Sequence, residues 1–352
     1  MKDTASVQKP ARKPLRDTCV TIAHGGGGKA MRDLIESVFT DVFQPDAMED
    51  QARLTSEALA TPGARLAMTT DSFVVTPVEF PGGDIGKLAI CGTVNDLAVG
   101  GASPLWLSAA FIIEEGTEIA LLRRIVATMK AEADKAGVRI VTGDTKVVGR
   151  GSADQVFITT TGVGVIPPGR DLRAEHIRPG DVAIVNGVLG DHGACILAAR
   201  GDMALSSALV SDCAGLGHLM QAVLAAAPNA RAARDCTRGG LASSLNEMAE
   251  ASGLAIEIEE EALPLRDEVR GTCEILGLDP LYLANEGRLV VFVPEAEAEV
   301  TLAAMRALPE GEGACIVGRA REGRPGQVTM RTLYGGARIV DMLVGEQLPR
   351  IC

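Results

Sequence analysis

The sequence predicts a mixed α/β protein made of two similar-sized halves. Apolar runs with strand character alternate with helix-period stretches of about 10–15 residues. The 352 residues exceed a single domain of typical size. A polar segment bracketed by Pro167, Pro168, Gly169 and Pro179-Gly180 reads as a linker between two cycles of such elements.

In the first half, Thr18–Ala23 is expected as a short strand leading into His24-Gly25-Gly26-Gly27-Gly28-Lys29. Met31, Leu34, Ile35, Val38, Phe39 and Val42 then recur at helical spacing. Gln44 to Gly63 reads as loop. Arg65–Thr70 is a strand expected to end at Asp71-Ser72, and Gly86–Val99 a helix carrying Asn95-Asp96. Leu105–Ile113 is a strand, and Glu118–Ala136 a helix closed by Gly137. Val138–Thr142 is a strand expected to end at Gly143-Asp144-Thr145-Lys146, and Gln155–Ile166 follows as another.

In the second half, strands are expected at Asp181–Asn186, Arg231–Asp235, Leu254–Glu259, Arg288–Val293 and Ala314–Arg319. Helices are expected at Gly190–Ala199, Leu216–Ala227, Gly239–Ala251 and Glu295–Leu308. The expected organisation is a flexible leader (1–18), a first half (19–168), a second half (169–334) and a mobile tail (335–352).

Composition narrows the function. Hydrophobic residues make up 47% and charged residues 23%, so a real core is available and disorder is excluded as a description of the whole. A net charge of −12 argues against broad nucleic-acid binding and against an anionic membrane surface. No stretch approaches the ~18 apolar residues of a membrane span. The polar, basic N-terminus lacks the apolar stretch of a secretory signal. Eight scattered cysteines without C-x-x-C or zinc spacing read as reduced thiols of a cytoplasmic protein.

The chemical signal is a set of carboxylates expected at element ends beside glycine or hydroxyl residues: Asp71, Asp96, Asp144, Asp191 and Asp235. Such carboxylates suit Mg²⁺, a hard cation that favours oxygen ligands and substrate phosphates. A helix cap or turn accounts for any single one equally simply. Asp96 fits that explanation worst, because Asp is unfavourable within an apolar helix pattern. The glycine run after His24 could present backbone N–H groups to phosphate, although a flexible turn explains it as well. Thr237-Arg238-Gly239-Gly240 opens a helix, where Arg238 either neutralises phosphate or simply faces water. Cys352 is the last residue, expected on a mobile, exposed tail behind Pro349, where a thiolate could visit more than one site.

Together these motifs resemble the HypE family of hydrogenase expression/formation proteins. The resemblance spans about Val20 to Cys352. It rests on H-G-G-G-G-K-A-M (24–31), T-T-D-S-F (69–73), F-P-G-G-D-I-G-K-L-A-I-C-G-T-V-N-D (80–96), V-T-G-D-T-K-V-V (141–148), G-D-H-G (190–193), D-C-T-R-G-G (235–240), A-N-E-G-R-L-V (284–290) and the terminal P-R-I-C (349–352).

It implies a two-domain PurM-like fold of the aminoimidazole-ribonucleotide-synthetase superfamily. The N-terminal half forms a β-barrel in a homodimer, the second half is α/β, and the C-terminal tail is flexible. It implies ATP and Mg²⁺ held by Asp71, Asp96, Asp144 and Asp235, with Asn95 and Gly143 beside them. His24, Gly25, Gly26 and Gly27 would cover the nucleotide, and Thr237, Arg238, Gly239 and Gly240 would lie against phosphate.

The implied reaction is ATP-dependent dehydration of an S-carbamoyl group on Cys352 to S-cyanide. A carbamoyltransferase, HypF, loads the thiol, and a HypC–HypD scaffold receives the cyanide for the iron of [NiFe]-hydrogenase. Glu286 is expected as the base that takes a proton from nitrogen, and Lys146 as the cation that steers phosphate or tunes Glu286. A structural ion pair is the alternative for each. His192 is expected either to contact phosphate or to cap its helix. Two other readings remain: a sister ATP-dependent synthetase or kinase, which has no need of the P-R-I-C ending, and a thiol carrier without ATP chemistry, which has no need of the carboxylates.

Overall fold

The computed structural model describes residues 15–46, 51–201, 208–345 and 350–352. The expected leader therefore lies mostly outside the described residues, as do part of the 44–63 loop and Pro349.

The chain enters through a single bridge, Cys19 to Glu118, and a 3₁₀ turn over Ile22–Gly25, where a strand was expected. Local capping explains the difference: the His24 ring folds back and accepts a hydrogen bond from Thr21 N at 3.0 Å. Helical residues follow as α1 (Lys29–Leu34), a π-turn over Ile35–Thr40, and α2 (Asp41–Phe43).

The first half is built on four strands. They are β1 (Arg65–Phe73), β4 (Ser103–Glu114), β5 (Arg139–Val148) and β6 (Val156–Ile166), ordered β1-β6-β4-β5. Only β4 and β5 run parallel, joined by the crossover helix α4 (Ile119–Ala136). Gly137 ends α4 with φ +70°, the left-handed cap that glycine adopts without penalty. A two-residue hairpin, β2 (Glu79–Phe80) and β3 (Gly83–Asp84), leads into α3 (Ile85–Val99), which Asp84 caps through Lys87 N at 2.8 Å.

Two strands run further than expected. β1 continues through Asp71 and Ser72, and β5 through Gly143 to Lys146, because both stay paired in register with their neighbours. Strand alternation then decides which way each side chain faces. Odd positions of β1 point towards α3, while Leu66 and Met68 stand on the open face at 62% and 75% exposure. Asp144 and Lys146 pair with Ala110 and Ile112 on that same open face.

The second half is a seven-stranded sheet. Its strands are β7 (Val182–Val185), β8 (Ala232–Asp235), β9 (Ala255–Glu259), β10 (Leu289–Val293), β11 (Cys315–Arg321), β12 (Val328–Arg331) and β13 (Ala337–Val340), ordered β13-β12-β9-β11-β7-β10-β8. Both faces are covered. Ala183, Val185, Val290 and Phe292 pack with α7 (Gly240–Ser252). Val182, Ile184, Leu289 and Val291 pack with α6 (Gly217–Ala226) and α9 (Ala298–Arg306). The remaining helices are α5 (Asp191–Ala199) and α8 (Asp267–Leu276).

Three features correct the expectations. Helix α8 was not foreseen, since only Val269, Thr272 and Cys273 of it are buried. β13 lies within the segment expected to be tail: the Gly335-Gly336 turn folds it back onto β12, so the tail proper starts after Val340. Finally, Ile351 and Cys352 are buried at 4% and 8% exposure in the core of the first half, not exposed.

Gly143 is needed by the fold itself: a Cβ there would sit 2.2 Å from the Ala109 carbonyl oxygen across the β4–β5 pair. Gly143→Ala is expected to destabilise the protein by about 1–3 kcal/mol, read as a lower urea midpoint at unchanged slope.

Candidate functional site

The two halves meet at α3. Asn95 on this helix is buried; it donates to the Ala214 carbonyl at 3.0 Å and accepts from Leu216 N at 2.6 Å. Its amide thereby ties the halves together. On the next position, Asp96 accepts a hydrogen bond from Thr69 Oγ1 at 2.8 Å. Burial, reinforced by the charge of Asp71, holds the Asp96 carboxyl above its ordinary range.

Asp71, Asp96 and Asp235 converge on one crevice. Asp235 ends β8, and burial together with the Asp96 charge pushes its pKa up to about 7. Arg238 reaches over the rim to 4.0 Å from Asp71. The glycines after it answer to the backbone: both have positive φ, and a Cβ on Gly240 would meet the Leu281 carbonyl at 2.4 Å.

Glu286 lies buried beside these acids, within reach of the charges of Asp235 and Asp71. It is 2% exposed, and its Oε1 has no hydrogen-bond partner. Burial, then the charges of Asp212 and Asp235, raise its pKa well above the ordinary carboxylate value. Asp212 fixes the loop that carries it, accepting from Glu286 N at 3.1 Å and Gly287 N at 3.2 Å while pairing with Arg288 at 3.6 Å.

The Cys352 thiol lies against this group. Burial and the neighbouring Glu286 raise its pKa, while Arg238 lowers it. His192 holds the tail: its Nε2 is 2.7 Å from the Ile351 carbonyl oxygen and its Nδ1 is 2.8 Å from Ser211 Oγ. A buried ring with both nitrogens engaged in this way faces neither phosphate nor its own helix cap.

Several expected residues lie elsewhere. Asp144 stands at the opposite edge and on the opposite face of the sheet from Asp71, so one chain does not unite all four carboxylates. It pairs with Lys146 at 2.7 Å, and that cation lowers its pKa. Lys146 itself is exposed and is not among the groups acting on Glu286 in the same chain. Gly143, Asp144 and Thr145 instead line a separate cavity of roughly 170 Å³ with Ile35, Phe39 and Phe111.

His24 is buried, its Nδ1 used by Thr21 and its Nε2 3.3 Å from Asp17. Gly25 packs against Val147, Gly26 and Gly28 leave room for a side chain, and Gly27 has open space but a φ of +74° that favours glycine. Among the described residues, no three ligating side chains approach closely enough to hold a metal ion alone. Asp71, Asp96 and Asp235 offer carboxylate oxygens, the ligand type that Mg²⁺ takes alongside phosphate oxygens and water.

Sequence reasoning missed Asp212, Arg200 and Asp154, which contact the loop or the tail. The S-D-C triplet at 211–213 resembles the other acid-bearing turns and was the available signal for Asp212. Arg200 and Asp154 carry no motif.

Comparison with known proteins agrees with this architecture. The AIR synthase related protein N-terminal domain matches residues 49–166, and the AIR synthase related protein C-terminal domain matches 178–331. Carbamoyl dehydratase HypE of Rhodobacter capsulatus is 79% identical over 338 residues, covering 96% of this chain and 99% of its own. A crystal structure of hydrogenase maturation protein HypE in complex with ATP superposes with a TM-score of 0.89 at 44% identity, over 94% of this chain and 99% of that one. A HypE–HypF complex superposes with a TM-score of 0.77 at 44% identity, over 88% and 99%.

The elevated Asp235 pKa has a definite effect on stability. An acid whose folded pKa is raised stabilises the fold fully below its unfolded value of 3.8, and that contribution is lost as pH rises to about 7. In metal-free buffer, Asp235→Asn is expected to be more stable than the parent by on the order of 2–4 kcal/mol at pH 8, with the difference gone near pH 4. Urea unfolding at both pH values checks this, and parallel pH profiles would overturn it.

Proposed function

The chain belongs to the HypE family of AIR synthase related proteins, and from that premise we propose that it dehydrates an S-carbamoyl group on its own Cys352 to S-cyanide at the expense of ATP. The observation that carries this reading is the Cys352 thiol, inserted beside a buried carboxyl with one free oxygen at the base of an acidic crevice.

The chemistry must remove one oxygen and two protons from a carbamoyl group. Oxide is a poor leaving group, so the carbonyl oxygen first takes the γ-phosphoryl group of ATP and ADP departs. Nitrogen then loses its protons, the C–O bond breaks, phosphate leaves, and a nitrile stays on sulfur. Glu286 accepts one proton from that nitrogen, and the departing phosphate carries away the other. The desolvation and like charges that raise its proton affinity also make its ionised form a strong base once cationic charge enters the crevice. Arg238 faces the transferred phosphoryl group from the rim. Mg²⁺ is the cation that Asp71, Asp96 and Asp235 fit, and when bound it neutralises phosphate charge.

A homodimer completes the site. Leu66, Met68 and Ile112 leave an apolar open face on the first sheet, and Asp144 and Lys146 stand on it. A second copy packed there would close the sheet into a barrel and bring its own Asp144, Lys146 and glycine-rich segment towards this crevice. The division of labour follows: residues 19–168 bind nucleotide and dimerise, the second half supplies Glu286 and Arg238, and the segment after Val340 carries the thiol. HypF loads Cys352, and a HypC–HypD complex takes the cyanide for [NiFe]-hydrogenase. All of these are reactions of the cytoplasm, where eight free cysteines stay reduced.

Intact mass after incubation with HypF, carbamoyl phosphate and ATP tests the reading. The carbamoyl adduct is expected to lose one water only with hydrolysable ATP, and Cys352→Ala to form no adduct. Glu286→Gln is expected to accumulate the carbamoyl form, with dehydration slowed roughly 10²–10⁴-fold. An adduct that never dehydrates in the parent would make the protein a carrier, and near-native turnover in Glu286→Gln would remove that residue as the base.

A further inference from the structure

All three described residues at the C-terminus have their backbone oxygens held by a donor from the body of the protein. The Arg350 carbonyl accepts from Thr76 N at 3.3 Å and from Arg200 Nη2 at 2.7 Å. The Ile351 carbonyl accepts from His192 Nε2 at 2.7 Å. A Cys352 oxygen accepts from Val74 N at 3.1 Å. The two-residue spacing of Val74 and Thr76 against Cys352 and Arg350 is that of an added strand. Arg200, just past the end of α5, uses its Nε on the Thr76 carbonyl at 2.9 Å, so one guanidinium joins both sides of that pairing.

The donors are themselves fixed. His192 is fully buried, with Phe80 edge-on at 5.6 Å. Ser211 donates to its Nδ1, leaving the proton on Nε2 for the tail, and Ser211 Oγ in turn accepts from Cys213 N at 3.1 Å. Side chains add two further contacts. Ile351 is buried in the core cluster with Phe73, Cys213 and Ala284. Arg350 forms an ion pair with Asp154, which also accepts from Thr76 Oγ1 at 3.3 Å.

We propose that His192, Arg200 and Asp154 form a clamp that sets how long the tail stays inserted, dividing it between the dehydration site and the outward state in which partners reach the thiol. They are positioning residues, since they hold residues 350 and 351 and act on the sulfur only through them. The clamp grips main chain and the neighbouring side chains, so it closes alike on a free, carbamoylated or cyanated Cys352. Departure is then set by the grip and by partner binding, not by the chemical state of the sulfur. The proposal rests on the reading that Cys352 is the reacting thiol.

The test is the alkylation rate of Cys352 by iodoacetamide in the full-length, nucleotide-free protein, read from the mass of the C-terminal peptide. The parent is expected to react slowly at this site. Asp154→Asn, which removes a partly exposed charge and leaves the core intact, is expected to raise the rate roughly 3–5-fold. Arg200→Met, which removes charged hydrogen bonds to two carbonyls, is expected to raise it ~10-fold or more.

Asp154→Arg combined with Arg350→Asp is expected to restore slow alkylation that each single substitution loses, a rescue that mere loss of structure would not show. In the coupled assay, the single variants are expected to be carbamoylated at least as fast as the parent but to dehydrate more slowly. Equal Cys352 alkylation in parent and single variants would overturn the clamp, whatever the catalytic result. A parent that never dehydrates, with the alkylation differences intact, would overturn the catalytic reading and leave the clamp standing.

Discussion

A carboxyl group buried without a partner for one of its oxygens dictates how the two halves meet. Desolvating Glu286 is unfavourable in itself, and the surrounding acids make it more so. The group stays because its loop cannot turn outward. Asp212 holds Glu286 N and Gly287 N, Arg288 offsets Asp212, and Asn285 receives a hydrogen bond from Gly190 N at 2.7 Å while donating to the Cys236 carbonyl at 2.8 Å. Gly287 lies so close to the Asp212 backbone that a Cβ would sit 1.9 Å from its carbonyl oxygen. Asn95 then locks α3 onto this loop from the other half.

The same constraint explains the character of the crevice. Asp71 raises the proton affinity of Asp96, Asp235 and Glu286, Asp96 that of Asp235, and Asp235 that of Glu286, and the nearby cations, Arg234 and Arg238, stand at the rim. An anionic phosphate meets repulsion there unless positive charge accompanies it. The acidic balance of the whole chain, which weighs against nucleic acid, is therefore compatible with a nucleotide brought in together with a divalent cation.

Much of this was legible in the sequence, and the exceptions share a cause. Helix α4 and its Gly137 cap, α3 with its acidic residue, and the terminal cysteine all declare themselves through local pattern. Asp71, Asp96 and Asp235 each sit beside the same kind of turn or helix chemistry in the sequence, and in the fold their charges act on one another. Asp144 and Lys146 were grouped with them because the G-D-T-K motif looks like a strand end. Only pairing in register with β4 shows that β5 runs on and that both side chains face away. His24 was read as facing a ligand, since a capping role for a histidine leaves no distinctive spacing. Asp212 and Arg200 are invisible for a related reason: they act on backbone atoms, which every residue possesses, while Asp154 acts on the side chains of Arg350 and Thr76, which no motif marks. Ile351 and Cys352 are buried in a core cluster that also takes in Phe73, Cys213 and Ala284, residues scattered over the whole chain.

The anchoring of β13 onto β12 has a kinetic consequence. From Val340 to Cys352 the chain is a leash twelve residues long, with a reach of roughly 40 Å at full extension. A reactant on such a leash meets its site at a local concentration set by tether length, and dilution of the protein leaves that concentration unchanged. On the reading proposed above, a carbamoyl group carried on Cys352 has no Michaelis constant of its own. On that same reading, conversion is a first-order event within each molecule, only the nucleotide can saturate, and each chain turns over once per loading of its own terminus.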